Sequence, residues 1–247
     1  MFIYDEAKST SMTTLHDNAD VDDISVDIDS SVGAIAPQFI RSDRLSFIPI
    51  HKADLQDVRS LFQRTTAESL RYYSEQSYSL PGDIHQFVSE KQTQWENGDK
   101  FEYVIEYKKE LVGKTYFSLE ADMTESTIGL WLQQRVWGNE LSQERADVML
   151  YILFEMIGVS IVSVGCVAKN TQSFRSIEKY VSRYGGSFCG ITPTVKNRFH
   201  DTEDIHTTIP HLEFAITKSQ FDTTESGIST PIPGVEYDVL RNQLIDM

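Results

Sequence analysis

The chain has 247 residues and a mass of 28.2 kDa, with 40% hydrophobic and 24% charged residues. This length allows one large domain with appendages or two small ones, and the composition excludes a wholly disordered chain. Acidic residues outnumber basic ones by 37 to 22, giving a net charge of −15. That sign argues against nucleic acid or an anionic membrane as the main partner, since both need a basic footprint. A small anionic ligand in a local pocket stays compatible with it.

Cysteine usage and the one long apolar stretch indicate the cellular setting. Cys166 and Cys189 offer neither a metal-binding spacing nor a disulfide framework, which favours a reducing cytoplasm and predicts no metal site. Residues 148–168 are largely apolar, but they contain Glu155 and change pattern at Gly158, so they predict a buried helix followed by a central strand. The acid excess leaves two settings open: a salt-rich cytoplasm, as in a halophile, or an ordinary acidic protein.

The ends of the chain differ in composition from its middle. Residues 1–36 carry eight acids against one base and show little periodicity, which predicts a disordered or loosely docked extension. Residues 222–247 form a similar polar tail with a short helix at 237–244. A patterned core of one domain, 37–221, lies between them.

The predicted elements alternate along this core. Strands are predicted at 45–50, 101–107, 111–119, 127–132, 160–167, 187–199 and 205–217, and helices at 53–62, 83–95, 141–156 and 171–184. This order predicts an α/β (α+β) fold: one mixed, mostly antiparallel sheet of six to seven strands with helices on both faces.

A loop at 133–140 joins the strand 127–132 directly to a helix. Backbone N–H groups at a helix N-terminus bind anions, and Gly138 permits close backbone approach. The alternative is an ordinary strand-to-helix turn. Further along, Asn170 follows the strand 160–167 and precedes the next helix, where Asn is also a common N-cap.

Between about residues 40 and 221, an ordered set of short motifs resembles the GCN5-related N-acetyltransferase (GNAT) superfamily. The chain looks in particular like the branch of ribosomal-protein N-terminal (RimJ/RimL-type) acetyltransferases. The motifs are Arg44-Leu, Trp137-Gly138, Glu144-Arg145-Ala, Asn170-x-x-Ser173, Ile177-Glu-Lys and Tyr184-Gly-Gly.

This resemblance implies acetyl-CoA as co-substrate and a direct attack by an amine, with no covalent enzyme intermediate. The pyrophosphate would lie on the loop and the pantetheine arm in a gap between the strands 127–132 and 160–167. Backbone N–H groups near the end of the first strand would polarise the thioester carbonyl. The implied binding residues are Trp131, Leu132, Gln133, Trp137, Gly138, Asn139, Glu140, Leu141, Ser142 and Asn170.

Three positions depart from the family pattern. Asn139 replaces a common basic residue, and Glu140 replaces the second glycine of the loop, which puts a carboxylate where phosphates would bind. Arg135 and Arg145 lie close enough in sequence to compensate for this charge. Many relatives carry a tyrosine as general acid where this chain has Ile177.

The catalytic candidates are Ser173 and Glu102. Ser173 would contact the thiol, or it is simply a serine in the first turn of a helix. Glu102 would accept a proton through water, or it is a solvated strand carboxylate. The aromatic residues near the first two helices would shape an acceptor pocket or belong to the core; they are Trp95, Tyr72, Tyr73 and Tyr78. The pair Lys179-Tyr180 is predicted to lie on a solvated helix surface. His206 and His211 are predicted to lie on opposite sides of a strand.

Two functional hypotheses follow. The chain is an N-acetyltransferase acting on a protein N-terminal α-amine or a small-molecule amine, or a GNAT-fold binding or regulatory protein with weak or no affinity for acetyl-CoA. Dehydrogenases and P-loop kinases are disfavoured because the chain has neither glycine-rich motif. A homodimer is left open.

Overall fold

The structure is a computed structural model that describes residues 25–27, 36–66, 69, 72, 83–195 and 208–224. Within these ranges the chain forms nine strands: β1 (Ser25–Asp27), β2 (Phe39–Arg41), β3 (Leu45–Pro49), β4 (Phe101–Tyr107), β5 (Glu110–Leu119), β6 (Glu125–Leu132), β7 (Ile161–Val167), β8 (Ser187–Val195) and β9 (Thr208–Thr217). The helices are α1 (Leu55–Gln63), α2 (Ile84–Glu96), α3 (Leu141–Tyr151), α4 (Thr171–Arg183) and α5 (Lys218–Thr223).

All nine strands belong to one sheet in the order β1-β2-β3-β4-β5-β6-β7-β9-β8. Every neighbouring pair is antiparallel except β6 and β7, which run parallel. The predicted fold class is confirmed, whereas the predicted six to seven strands fall short by the two at the N-terminal edge. β1 and β2 have three residues each, too few to show an alternating pattern. β1 lies inside the predicted extension 1–36, so these three residues join the sheet.

The two faces of the sheet bury different side chains. In β4, Phe101, Tyr103 and Ile105 pack with the cluster that contains the buried side chains of α3 and α4. The side chain of Val104 points the other way and packs against α1 and the first turn of α2. This alternation has the period of two that a strand imposes, so helices cover both faces.

The apolar stretch 148–168 folds as a helix followed by a strand, as predicted. The helix α3 continues as a π-helical turn (Ile152–Ile157) and stops at Gly158, whose φ of +87° favours glycine. Glu155 is exposed and pairs with Lys218 at 2.7 Å. No helix in the described ranges is long and apolar enough to span a membrane. The predicted helix 237–244 lies outside the described residues.

Candidate active site

The parallel strands β6 and β7 pair only at their beginning. Their register joins Glu125 to Ile161 and ends with Thr127 and Ser163. Beyond that point β6 stays on β5 as far as Leu132, and β7 stays on β9 as far as Val167. The two strands therefore diverge, and a gap opens between residues 128–132 and residues 164–167.

This gap belongs to a cavity of about 690 Å³ that passes between the two strands. One part of the cavity is lined by the loop 133–140 and the facing sides of α3 and α4; we call it the loop end. The other part lies on the side of α1 and α2, where Glu102 and its neighbours line it; we call it the acceptor end.

The backbone of β6 determines which of its groups face the gap. The Gln133 N–H donates to the Val112 carbonyl at 2.8 Å, so it is used in pairing with β5. In an antiparallel pair alternate residues turn their backbone groups to the neighbour, so those of residues 130 and 132 face the gap. The indole N–H of Trp137 donates to the Leu132 carbonyl at 3.0 Å and fastens the loop to the end of β6. Of the three positions expected to polarise a carbonyl, Leu132 is the one whose N–H faces the gap.

The N-terminus of α3 is open towards the cavity. In the described part of the chain, the backbone N–H groups of residues 138–142 make no hydrogen bond to protein. Gly138 and Glu140 both have positive φ angles, +79° and +59°, which turn the chain into the helix. Gly138, Leu141 and Ser142 line the cavity. These N–H groups are the ones that orient towards an anion at a helix N-terminus.

The carboxylate of Glu140 is paired with a cation from α4. It accepts a hydrogen bond from the Lys179 ammonium, and that bond lowers the pKa of Glu140 below its usual range. Both side chains are exposed, as expected for Lys179. The prediction that Tyr180 lies on a solvated surface is wrong: its side chain is 1% exposed and lines the cavity, because α4 turns this face to the core.

Arg44 fastens the loop to the first turn of α3. Its guanidinium donates to Glu144 at 2.7 Å and to the Asn139 carbonyl at 2.9 Å. Neither of the two arginines expected to compensate the charge of Glu140 is an exposed cation beside it that could bind a phosphate. Arg135 pairs with Glu110 at 2.8 Å and is not part of the cavity lining, and Arg145 is buried.

Arg145 lies instead in the wall of the loop end. Its guanidinium carbon is 5.7 Å from the centre of the Tyr180 ring, and burial raises the pKa of that tyrosine to about 12. Tyr180 is therefore a neutral phenol at physiological pH.

The first turns of α4 form the remaining wall. Asn170 caps this helix by accepting from the Ser173 N–H at 3.1 Å, which confirms the N-cap alternative. Ser173 and Ile177 line the cavity, and Ser176 donates to the Ser142 hydroxyl at 2.7 Å, joining α3 to α4. Asn139 is exposed and donates to the Val136 carbonyl at 3.1 Å, so its side chain is used within the loop.

Glu102 lies at the acceptor end, in an environment that contradicts the solvated alternative. Its side chain is 2% exposed, so it is not a solvated strand carboxylate. Lys114 donates to Oε1 at 2.5 Å, and Lys91 and Lys100 lie 3.4 and 3.7 Å from Oε2. Burial alone raises the pKa of a carboxylate, but these three ammonium groups bring the pKa of Glu102 to about 2. A group that weakly basic is a poor proton acceptor near neutral pH.

A second titratable pair, His211 and Glu213, lines the same cavity from β9. Nδ1 of His211 is 2.7 Å from Oε1 of Glu213, and Thr192 donates to the same oxygen at 3.2 Å. The hydrogen bond with His211 lowers the pKa of Glu213, so this carboxylate is charged at neutral pH. It then accepts the proton on Nδ1, which leaves Nε2 of the imidazole as a proton acceptor.

Gly165 on β7 makes room for this pair. A Cβ atom there would lie 2.5 Å from Cε1 of His211 and 2.6 Å from Oε2 of Glu213. Cys166, the next residue, packs in the core with Ile177. Since side chains alternate along a strand, His211 and Glu213 face the other side of the sheet, the side of α1 and α2.

Sequence reasoning missed this pair. The signal for it is His-x-Glu, whose two members share one face of a strand, but the sequence prediction pairs His211 only with His206, which lies outside the described residues.

The remaining candidates have structural contacts. Trp131 is 1% exposed and donates its indole N–H to the Ser69 carbonyl. Gln133 donates its side-chain amide to the Leu61 carbonyl.

The aromatic candidates have different positions. Trp95 is buried between Phe101 and Tyr103 and belongs to the core. Tyr72 lines the cavity and donates to the Lys169 carbonyl at 3.0 Å, while Tyr73 and Tyr78 lie outside the described residues. Burial raises the pKa of the Cys166 thiol to about 12, so it is a poor nucleophile.

Comparison with known protein families shows to which family this fold belongs. The sequence profile described as Acetyltransferase (GNAT) domain matches residues 44–180. The chain belongs to the GNAT acetyltransferase family. The matched segment contains the loop, both splayed strands and most of α4. A comparison with curated proteins finds no match.

Solved structures share this GNAT fold at low sequence identity. The microcin C7 self-immunity acetyltransferase MccE, solved with acetyl-CoA and AMP, has a TM-score of 0.59 and 14% identity over 74% of this chain and 98% of its own. A GCN5-related N-acetyltransferase from Brucella melitensis has a TM-score of 0.57 and 14% identity over 76% and 81% of the two chains. RimL, a ribosomal L7/L12 alpha-N-protein acetyltransferase solved with coenzyme A, has a TM-score of 0.54 and 15% identity over 71% and 95%. At these identities the likeness concerns the fold.

Proposed function

We propose that this protein is an acetyl-CoA-dependent N-acetyltransferase that transfers the acetyl group directly to a primary amine. The observation that carries the proposal is the gap between β6 and β7, which continues into the open N-terminus of α3. The N–H of Leu132, which faces the gap from the extended strand β6, offers a hydrogen bond to a pantetheine arm or its thioester. The N–H groups of residues 138–142 offer donors to its pyrophosphate.

The charges around the loop are consistent with this ligand. Glu140 forms an ion pair with Lys179, so the carboxylate is compensated by a cation of the same chain. Fold relatives have been solved with acetyl-CoA or CoA, namely MccE and RimL. Trp137 and Gly138 form the loop wall, and Leu141, Ser142 and Asn170 line the cavity beside it.

The transfer needs one proton acceptor and one proton donor. We assign the acceptor role to Nε2 of His211 rather than to Glu102, because the lysines around Glu102 make it a weak base. The amine nitrogen forms a bond to the thioester carbon, the proton of the ammonium passes to His211, and the Leu132 N–H stabilises the developing oxyanion. The C–S bond then breaks, and the hydroxyl of Ser173 donates a hydrogen bond that stabilises the leaving thiolate. The proton held by His211 passes through solvent to the sulfur, so that CoA leaves as the free thiol and His211 returns to its neutral form.

The acceptor proposed first is a protein N-terminal α-amine, and a small-molecule amine is the second. The experiment is incubation of the purified chain with labelled acetyl-CoA and a panel of peptides and small amines, following acetyl transfer and CoA release. Acetylated product is expected for at least one amine. Binding of acetyl-CoA without transfer to any amine contradicts the proposal.

The binding or regulatory alternative is favoured by Glu140 and Ile177, which depart from the family pattern. Titration calorimetry with acetyl-CoA at low and high salt separates the two. A folded sample that binds no acetyl-CoA in either condition supports the alternative.

A further inference from the structure

The charges at the acceptor end point to the chemistry of the acceptor. Four charged side chains meet there: Glu102 from β4, Lys114 from β5, Lys91 from α2, and Lys100 from the turn before β4. All four line the cavity. The ammonium groups lie 2.5, 3.4 and 3.7 Å from the carboxylate oxygens, and their side chains are 5%, 17% and 32% exposed.

These lysines carry more charge than Glu102 neutralises. Among the described residues of the acceptor end, three ammonium groups face the carboxylates of Glu102 and Glu213, so one positive charge is in excess when His211 is neutral, in a chain whose net charge is −15. Cations removed from water are costly unless an anion compensates them. At the loop end, the exposed carboxylate of Glu140 has a cation of its own, Lys179.

Glu102 leaves N–H donors of two lysines unused. Its Oε2 accepts no hydrogen bond in the described residues, although Lys91 and Lys100 lie closest to it. Lys91 donates once, to Gln94 at 3.2 Å, and Lys100 lies over the ring of Tyr116 at 3.7 Å. An ammonium group has three N–H donors, so both lysines have donors for a further anion. Burial lowers the pKa of Lys100 and of Lys114, which is the electrostatic cost that an additional anion would relieve.

We infer that the acceptor amine carries an anionic group, a carboxylate or a phosphate, that binds between Lys91 and Lys100 while the nitrogen faces His211. This inference rests on the proposed transferase function and names its substrate class. An anion at this position satisfies the unused donors and compensates the excess charge. A cationic acceptor would instead add to the positive charge already present.

Matched acceptors test the inference directly. Ser-Glu, Ser-Gln and Ser-Lys dipeptide amides differ in the charge beside one α-amine, and 2-aminoethyl phosphate and ethanolamine form the phosphate pair. CoA release from acetyl-CoA gives kcat/KM for each. The anionic member is expected to exceed its neutral partner by about tenfold or more, because charge-assisted hydrogen bonds are the strong ones. Comparing the Glu peptide with the phosphate shows which anion the site prefers.

Two substitutions connect the preference to the lysines. Lys91→Gln and Lys100→Gln, both at partly exposed side chains, are each expected to reduce the ratio of anionic to neutral kcat/KM about tenfold. Lys52→Gln, at an exposed lysine away from the cavity, is the matched control and should leave the ratio unchanged. Circular dichroism and acetyl-CoA binding verify that each variant is folded.

The outcomes separate this inference from the transferase proposal. Neutral or cationic amines acetylated as well as the anionic ones overturn the inference and leave the transferase intact. A preference for anions that survives both lysine substitutions also overturns it, since other groups would then recognise the anion. Absence of transfer to every amine by a folded, acetyl-CoA-binding sample overturns the proposed function, and the inference with it.

Discussion

The loop end and the acceptor end of the cavity are built from different parts of the chain. The loop end presents backbone N–H groups at the start of α3 and along β6, and its most unusual side chain, Glu140, is paired with Lys179. The acceptor end consists of charged side chains: Glu102 with three lysines, and His211 with Glu213. We therefore expect ligand binding at the loop end to be less sensitive to changes of the loop side chains than the acceptor end is to changes of its charged residues.

The largest effect is expected at Glu102. Replacing it with glutamine leaves three ammonium groups around an uncharged side chain, and breaking a buried ion pair costs about 3–5 kcal/mol. Urea unfolding of the Glu102→Gln variant at neutral pH measures this loss. Glu120→Gln, at an exposed acid, is the control and should change the free energy of unfolding by less than about 0.5 kcal/mol.

The same variant makes a prediction about pH. The folded-state pKa of Glu102, about 2, lies below its ordinary value of 4.5, so its contribution to stability is present above pH 4.5 and lost as the pH falls towards 2. The stability difference between wild type and Glu102→Gln should shrink over this interval. A difference that stays constant from pH 5 to pH 2 would show that the charge of Glu102 is not what stabilises the fold.

The next largest effect is expected at His211. His211→Gln removes the proton acceptor while keeping a polar group beside Glu213, and general-base catalysis contributes about 100-fold or more. The kcat for the best acceptor should fall by about 100-fold with the dissociation constant of acetyl-CoA unchanged. His85→Gln, at an exposed histidine on α2, is the control. If kcat of the His211 variant stays within threefold of wild type, the proton has another acceptor.

The smallest effect is expected at Glu140, because the loop end uses backbone groups. Glu140→Gly removes the carboxylate, places glycine at a positive φ, and releases Lys179 towards the phosphates. We expect acetyl-CoA to bind about two- to fivefold more tightly at low salt, with the gain reduced at high salt. Lys179→Gln should change affinity in the opposite direction. Weaker binding by Glu140→Gly would show that the carboxylate does not oppose the phosphates.

The loop end could be predicted from the sequence because local patterns specify it. The strand-loop-helix order around Gly138 and the N-cap at Asn170 are read within short windows, and the structure has both. The gap between β6 and β7 came from the family resemblance. The short strands β1 and β2 and the six-residue helix α5 were missed because so few residues show no period.

The acceptor end was beyond sequence reasoning because it depends on packing between distant elements. The hairpin of β4 and β5 follows from the polar turn between them. Lys91, Lys100 and Lys114 meet Glu102, however, through the register of that hairpin and the position of α2, neither of which a local pattern gives. His211 faces the cavity because β9 pairs with β7 next to Gly165. Which charged side chains face one another across a sheet can thus be predicted only once the register of its strands is known.

The central claim is that acetyl-CoA binds along the gap between β6 and β7, with its pyrophosphate on the N-terminus of α3. The most direct measurement is a titration of the ¹⁵N-labelled chain with acetyl-CoA, followed by amide correlation spectra. The account predicts that the largest shifts occur at residues 138–142 and at Leu132. Saturable binding that leaves these amides unshifted would contradict it.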